Sequence, residues 1–424
     1  MLGELPYAGF ASMTTLIEFS MLISETATHR LESFFSQDMA ACQDAIREAV
    51  TGKRILAVGA AGSIGTETVK VLASYAPEAL HIVDQNENTL AELVRQFRSE
   101  PDALQTADFR TLPLDYGSAA MLRLMQQENY DRILNFAAIK HVRSEKDVFS
   151  VLQMLDTNIV KQARFRDFIA ETNPAADYFS VSTDKAANPV SFMGATKRIM
   201  EHVLFDGARE AGLTGKVTTA RFANVAYSNG SLLQSFQNRL ARGQALAAPQ
   251  GVRRYFVSLE ESGQICTLAS IIPEHAHITV PKLDPEEHLI TLQSVGERFL
   301  AAHDLKPRLY DEEDAAIRAV ETCLAKGEWP LLITPSNTAG EKPYEEFVGH
   351  DEVYSEIGLN GLGVVEYRAP QAGASVPDLV AKLADVVGGK TLANKEEVKA
   401  MIAQLEPRFL DDHIDSKANL DQRV

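Results

Sequence analysis

The chain reads as an α/β protein built on a doubly wound parallel sheet, with a smaller α/β lobe and helical extensions at both ends. Three observations carry that reading. Short apolar runs recur at Lys53–Gly59, Leu80–Asp84, Arg132–Phe136 and Tyr178–Val181; helical segments separate them; and the alternation weakens after about Asn229. Strand alternating with helix is the signature of a parallel sheet covered on both faces.

The 424 residues, 45% of them hydrophobic, are too many for one typical domain and enough for a sizeable core. Lys+Arg 41 against Asp+Glu 58 gives a net charge of −17, which disfavours binding of nucleic acid or anionic lipid through bulk charge. Anionic ligands must then be held by local donors. Cys42, Cys266 and Cys323 are widely spaced, which fits a reduced, cytoplasmic setting.

Taken in order, residues 8–24 are apolar but carry Glu18 and are too short to span a bilayer, so a packed or partner-facing helix is expected. Residues 31–50 place Leu31, Phe34, Phe35, Met39, Cys42, Ile46 and Val50 near one face of a helix. The first strand follows, then Gly59-Ala60-Ala61-Gly62-Ser63-Ile64-Gly65 opening a helix. Glycines there allow a tight turn and close approach to a pyrophosphate, and the helix N-terminus offers free N–H groups. Asp84 ends the second strand nineteen residues after Gly65, where a carboxylate can accept from ribose hydroxyls. Strand, turn, helix and acid together point to a bound dinucleotide.

Asn135-Phe136-Ala137-Ala138 ends a later strand at the carboxyl edge, where small residues leave room for a flat ring. Lys140-His141 after it reads either as a solvated basic loop or as a substrate contact. Thr183-Asp184-Lys185 follows the next strand; taken alone, a polar loop with an Asp–Lys ion pair is the simpler reading. Met193 and Lys197 stand four apart and share a helix face. Arg221–Val225 reads as a late strand leading into the second lobe. Arg253-Arg254 beside Tyr255 suits a diphosphate or a surface cluster of ion pairs. His275 and His277 lack accompanying acids or thiols, and no metal is expected. From about Val376 come two short helical patterns and a polar end, His413–Val424, expected to pack on the body of the protein or on a sister subunit.

The glycine turn, Ala137-Ala138-Ile139-Lys140-His141-Val142, Ser182-Thr183-Asp184-Lys185-Ala186 and Met193-Gly194-Ala195-Thr196-Lys197-Arg198 stand in one order with Arg221-Phe222-Ala223-Asn224-Val225, Arg254-Tyr255-Phe256-Val257-Ser258-Leu259-Glu260-Glu261 and Gly340-Glu341-Lys342-Pro343-Tyr344-Glu345-Glu346-Phe347. Together they resemble the nucleoside-diphosphate-sugar 4,6-dehydratases of the extended short-chain dehydrogenase/reductase superfamily, in the CapD-like polysaccharide-biosynthesis branch. The resemblance covers roughly residues 50–350. Most of the superfamily carries Tyr-x-x-x-Lys, whereas this chain has Met193 in place of the tyrosine, a substitution that resembles the larger, often membrane-anchored, members of the branch. The glycine that usually follows Thr157-Asn158 is replaced by Ile159, and residues 272–310 match poorly.

The resemblance implies a Rossmann-type domain over 51–228 that binds NAD, a substrate lobe over 229–350, and extensions at 1–50 and 351–424. It implies cofactor contacts at Gly59, Gly62, Ser63, Ile64, Gly65, Asp84, Asp115, Ala137, Ala138 and Lys197. Sugar-nucleotide contacts fall at Lys140, His141, Met193, Asn224, Arg253 and Arg254. Thr183, Asp184, Lys185 and Lys197 would carry the chemistry: hydride removal at carbon 4 of a UDP-N-acetylhexosamine, loss of water across carbons 5 and 6, and hydride return. Asp184 would be the acid, and Lys185 the base, its charge lowered by desolvation or nearby cations. A homo-oligomer is expected. A UDP-sugar 4-epimerase or reductase would share the fold but normally needs the absent tyrosine; a sugar-nucleotide sensor would not need Asp184 and Lys185.

Overall fold

The computed structural model describes residues 25–100, 104–140, 145, 147–335, 342–370 and 375–415. Its centre is a nine-stranded sheet. Strands β1 (Arg54–Val58), β2 (Ala79–Val83), β3 (Asp108–Leu112), β4 (Arg132–Asn135), β5 (Asp177–Val181), β6 (Val217–Ala220), β7 (His277–Pro281), β8 (Tyr354–Glu356) and β9 (Leu362–Glu366) lie in the order β8-β9-β7-β6-β5-β4-β1-β2-β3. Neighbours from β7 through to β3 are parallel. The far edge is not: β9 runs antiparallel to both β7 and β8.

The central strands are buried on both faces, which is why they read as unbroken apolar runs rather than alternating ones. Val58 pairs with Val83 on one side and with Asn135 on the other, so the carboxyl ends of β2, β1 and β4 are level. The connection out of β1 goes to β2, and β4 returns on the opposite flank of β1. That reversal opens a crevice at the carboxyl edge, the usual ligand position in such sheets.

The amphipathic stretch at 31–50 is two helices, α1 (Ser36–Ala41) and α2 (Gln43–Val50), because Cys42 leaves the helical region at φ −96°, ψ 7°. Phe35, Cys42, Ile46 and Val50 are buried as the periodicity implies, whereas Leu31 is 64% exposed. Helix α3 (Ser63–Ala73) follows the glycine turn, α4 (Phe192–Ala211) follows β5, and α5 (Leu259–Ile271) packs on α3. The α3–α5 approach is close: a Cβ on Gly263 would lie 2.7 Å from the Glu67 carbonyl carbon.

A smaller lobe has its own core. Glu328–Thr334 lies between Lys306–Tyr310 and Leu246–Pro249 in a parallel three-stranded sheet, over Phe236, Val295, Phe299 and Leu331. The two helical patterns near the C-terminus are α6 (Val376–Val387) and α7 (Lys395–Ile402). They pack on the same chain: Leu379, Leu383, Ile402 and Phe409 share one apolar cluster with Phe192, Met193 and Ile199 of α4. Residues 1–24 and 416–424 fall outside the described residues. No helix among the described residues is long and apolar enough to cross a membrane.

Candidate active site

The glycine turn runs from β1 into α3. Gly59 has φ +66°, and a Cβ there would come within 2.5 Å of the Ala137 nitrogen, so only glycine lets the turn lie against the end of β4. Gly65 is equally constrained, with a Cβ 2.4 Å from the Ala60 Cα. Gly62 is the N-cap of α3, and its first turn has no side-chain cap. The leading N–H groups of α3 are therefore available to an anion. Asp84 sits where expected, accepting from Ala61 N at 3.3 Å and Asn86 N at 3.0 Å.

These residues line a cleft of about 420 Å³. Gly59, Gly62, Ser63, Ile64, Gly65, Asp84, Ala137, Ala138 and Lys140 all border it, as do Tyr116, Gln153, Thr157 and Val181, which the sequence reading did not select. Asn158 shapes one wall: its side chain pairs with both the N–H (2.9 Å) and the carbonyl (3.0 Å) of Ile139 and reaches Thr196 Oγ1 at 3.0 Å. Ser63 Oγ accepts from Asn229 N at 2.9 Å and ties the turn to the start of the second lobe. The donors and the cradle fit a dinucleotide.

Asp115 is adjacent to the cleft but engaged elsewhere, with Gly117 N at 2.8 Å and Lys161 Nζ at 2.5 Å. Lys197 is buried and donates to the Val181 carbonyl at 2.6 Å; burial lowers its pKa to about 8. Burial also lowers Lys140, whose Nζ lies 3.4 Å from Ser228 Oγ.

Beyond β5 the chain bends into a short turn, Asp184–Ala186. Thr183 Oγ1 donates to Asp184 Oδ1 at 2.8 Å, and Lys185 Nζ donates to the same oxygen at 3.1 Å. Asp184 is 2% exposed, and its second oxygen is buried with no hydrogen-bond partner among the described residues. Helix α4 locks this turn from above: a Cβ on Gly194 would stand 2.4 Å from the Lys185 carbonyl oxygen.

Two expectations need correcting. Burial does favour the neutral amine of Lys185, but Asp184 and Glu345 outweigh it, and the pKa is raised rather than lowered. Met193 does not border the cleft; it is 2% exposed and packs in the apolar cluster shared with α6. Its N–H instead donates to Glu145 at 2.8 Å, whose carboxyl burial pushes up to about 7.

The remaining positions scatter. Asn224 donates to the Tyr255 carbonyl at 3.4 Å. Arg253 is exposed, stacked 5.6 Å over Tyr344. Arg254 is buried and gives Nη1 to the carbonyls of Lys342 (2.9 Å) and Pro343 (3.4 Å). His141 lies outside the described residues. Sequence reasoning also misses Glu345, 3.8 Å from Lys185 Nζ. Its only signal was the stretch Lys342–Phe347, which carried a family match without a role.

A family model described as polysaccharide biosynthesis protein matches residues 55–364. A UDP-N-acetylglucosamine 4,6-dehydratase (inverting) of Campylobacter jejuni is 28% identical over 320 residues, covering 73% of this chain and 88% of that protein. The capsular polysaccharide biosynthesis protein CapD of Staphylococcus aureus is 24% identical over 313 residues, 73% of this chain and 47% of CapD, so the chain spans about half of that relative. In fold, the chain is similar to the X-ray structure of Pen from Bacillus thuringiensis, with a TM-score of 0.61 at 19% identity over 81% of this chain and 99% of that one. The chain belongs to the polysaccharide biosynthesis protein family, in the extended short-chain dehydrogenase/reductase branch that includes nucleotide-sugar dehydratases.

Proposed function

We propose that the protein is an NAD-dependent 4,6-dehydratase acting on a UDP-N-acetylhexosamine, with UDP-N-acetylglucosamine as the first substrate to test. The observation that carries the reading is the convergence of Thr183 Oγ1 and Lys185 Nζ on one oxygen of a buried Asp184, three residues beyond Val181 on the cleft wall. A dehydratase named for that sugar nucleotide, 28% identical over most of both chains, supports the substrate and reaction.

When bound, NAD+ supplies a hydride acceptor that later serves as donor, so the cofactor shows no net change. The N-terminus of α3 and the glycine turn would hold the pyrophosphate, and Asp84 the adenosine ribose; a carboxylate there repels a 2′-phosphate. Asp115, Ala137 and Ala138 would complete the cofactor wall, and Lys197 would hold the nicotinamide ribose. Lys140, Asn224, Arg253 and Arg254 remain the proposed sugar-nucleotide side.

Thr183 Oγ1 would orient the carbon 4 oxygen. Elimination then needs a neutral amine to take the carbon 5 proton and a neutral acid to protonate the departing carbon 6 hydroxyl. The 3.1 Å hydrogen bond from Lys185 to Asp184 joins these two groups. A shift of one proton along it makes both neutral at once, with no change of net charge. Carboxyl-to-amine proximity of this kind suits general acid–base catalysis.

The test is incubation of purified protein with UDP-N-acetylglucosamine and mass spectrometry of the nucleotide sugar. Loss of one water, with NAD rather than NADP released from the denatured protein, is expected. Recovery of an unchanged mass with an inverted carbon 4 would instead indicate an epimerase.

A further inference from the structure

Lys185 does not face one carboxylate but two. From the turn after β5, Asp184 Oδ1 lies 3.1 Å from its Nζ; from the far side, Glu345 Oε1 lies 3.8 Å away. The side chains of both acids are almost fully buried, at 2% and 3% exposure. We propose that Glu345 is a positioning residue of the reacting centre: with Asp184 it brackets the Lys185 ammonium and governs when that lysine gives up its proton. The inference rests on the dehydratase reading, in which Lys185 is the carbon 5 base.

The segment that carries Glu345 is fastened to the turn it serves. Lys342 Nζ donates to the Asn188 carbonyl at 2.5 Å, and Asn188 Nδ2 donates to Glu346 Oε2 at 3.0 Å. Arg254 holds the carbonyls of Lys342 and Pro343. Gly349 lies so close that a Cβ would stand 2.7 Å from the Ala187 carbonyl oxygen. Glu345 is thus held against Lys185 from both sides of its own segment. Two buried carboxylates stand around the Lys185 ammonium with Arg254 and Lys342 close by, and buried charges are costly unless opposite charges pair them.

The charged groups that face this centre are Asp184 from the β5 turn, Arg254 from the strand Arg253–Arg254, and Glu345 with Lys342 from the downstream segment. Burial raises the pKa of the Glu345 carboxyl and Asp184 adds to the rise, while Lys185, Arg254 and Lys342 oppose it. Removing its charge removes one of the two attractions that keep Lys185 protonated.

The experiment compares Glu345→Gln and Glu345→Asp with the parent holoenzyme in two readouts. One is the pH dependence of kcat for dehydration; the other is the titration of Lys185 itself, followed by pH-dependent acetylation and peptide mass spectrometry. With Glu345→Gln, the alkaline limb, where the pair loses its one proton, and the labelling midpoint should both move down by about one pH unit, the scale of losing a nearby opposite charge. With Glu345→Asp, both should stay near the parent. Should Glu345→Gln not fold, Glu345→Ser carries the same readouts. Reduced turnover with an unmoved limb and midpoint would reduce Glu345 to a structural contact and overturn the inference. If the parent dehydrates no UDP-sugar, the functional reading fails, and the Lys185 labelling midpoint then decides the bracket alone: a downward move upholds it, and coincident curves reject it.

Discussion

Arg221 and Glu201 form a two-bond ion pair with no solvent exposure on either side chain, Nε to Oε1 at 2.8 Å and Nη2 to Oε2 at 2.6 Å. The pair joins the two halves of the candidate site. Glu201 also accepts from Ser182 Oγ at 2.6 Å, one residue before Thr183. Arg221 also donates to the Phe347 carbonyl at 3.1 Å and to Glu352 at 2.5 Å, on the segment that carries Glu345. Breaking a buried pair by removing one partner leaves an uncompensated charge and costs about 3–5 kcal/mol. Glu201→Gln and Arg221→Met should each lose stability of that order in urea unfolding, and should weaken activity by displacing both loops.

The same pair makes a pH prediction. Burial would raise the Glu201 carboxyl, but Arg221 and Arg198 outweigh it and hold it at about 2. A depressed carboxylate stabilises the fold above its unfolded pKa, near 4.5, and that contribution is lost as pH falls toward 2. Acid unfolding of the parent should therefore steepen between those values. In Glu201→Gln this part of the slope should vanish; an identical slope would mean that other carboxylates carry the acid transition.

Lys197 gives the opposite sign. Its folded pKa of about 8 lies below the ordinary 10.5, so the unfolded chain binds more protons between those values and stability rises with pH across the window. Lys197→Met removes that dependence. Its melting temperature should exceed the parent's near pH 7, and the gap should narrow as pH approaches 10. Its bound NAD should fall, because the proposed ribose contact is gone. A constant gap across pH would contradict a neutral-leaning buried lysine.

Phe409 is 1% exposed and packs edge-on against Phe192, ring centroids 5.5 Å apart, at the start of the helix that bears Met193 and Lys197. His413 packs against both rings, edge-on to Phe192 at 4.9 Å and tilted to Phe409 at 5.0 Å. Phe409→Ala should cost about 3–5 kcal/mol. Deleting residues 408–424 should lower both the melting temperature and turnover. Unchanged turnover and melting after the deletion would dispose of a structural role for the tail.

What was legible in the sequence was local. A glycine turn, the acid that ends the next strand, and three polar residues past a third strand each lie within one connection, so short-range geometry already sets their place. Strand β6, Val217-Thr218-Thr219-Ala220, gives no apolar run in the sequence, because its two threonines mask a segment buried along its whole length. Cys42 hid a helix break because the 3.6-residue periodicity runs on through it. Glu345 stands 160 positions after Lys185, and nothing near it in sequence reveals that Arg254 and Asn188 bring it there. Arg221 reads as one residue of a late strand, whereas its burial follows from two distant segments, α4 with Glu201 and the stretch from Phe347 to Glu352, closing around it.

Asp184 and Lys185 should serve elimination rather than hydride transfer. They share one hydrogen bond of 3.1 Å, and only elimination needs an acid at carbon 6 and a base at carbon 5. Losing one positioned acid or base typically costs on the order of 100- to 10,000-fold. Asp184→Asn and Lys185→Met should therefore retain NAD and bind UDP-sugar, accumulate NADH with a 4-keto hexose, and release little dehydrated product. Because Asp184 and Glu345 outweigh burial and raise the Lys185 pKa, the pair keeps its one proton through neutrality, and the parent rate should fall only at alkaline pH, where that proton is lost. That alkaline fall should be absent from the residual activity of Lys185→Met. Met193→Leu should be mild, since the side chain is buried among apolar neighbours and the volumes are similar. Asp184→Asn and Lys185→Met variants that dehydrate at near the parent rate would move the proton work to other groups on the cleft.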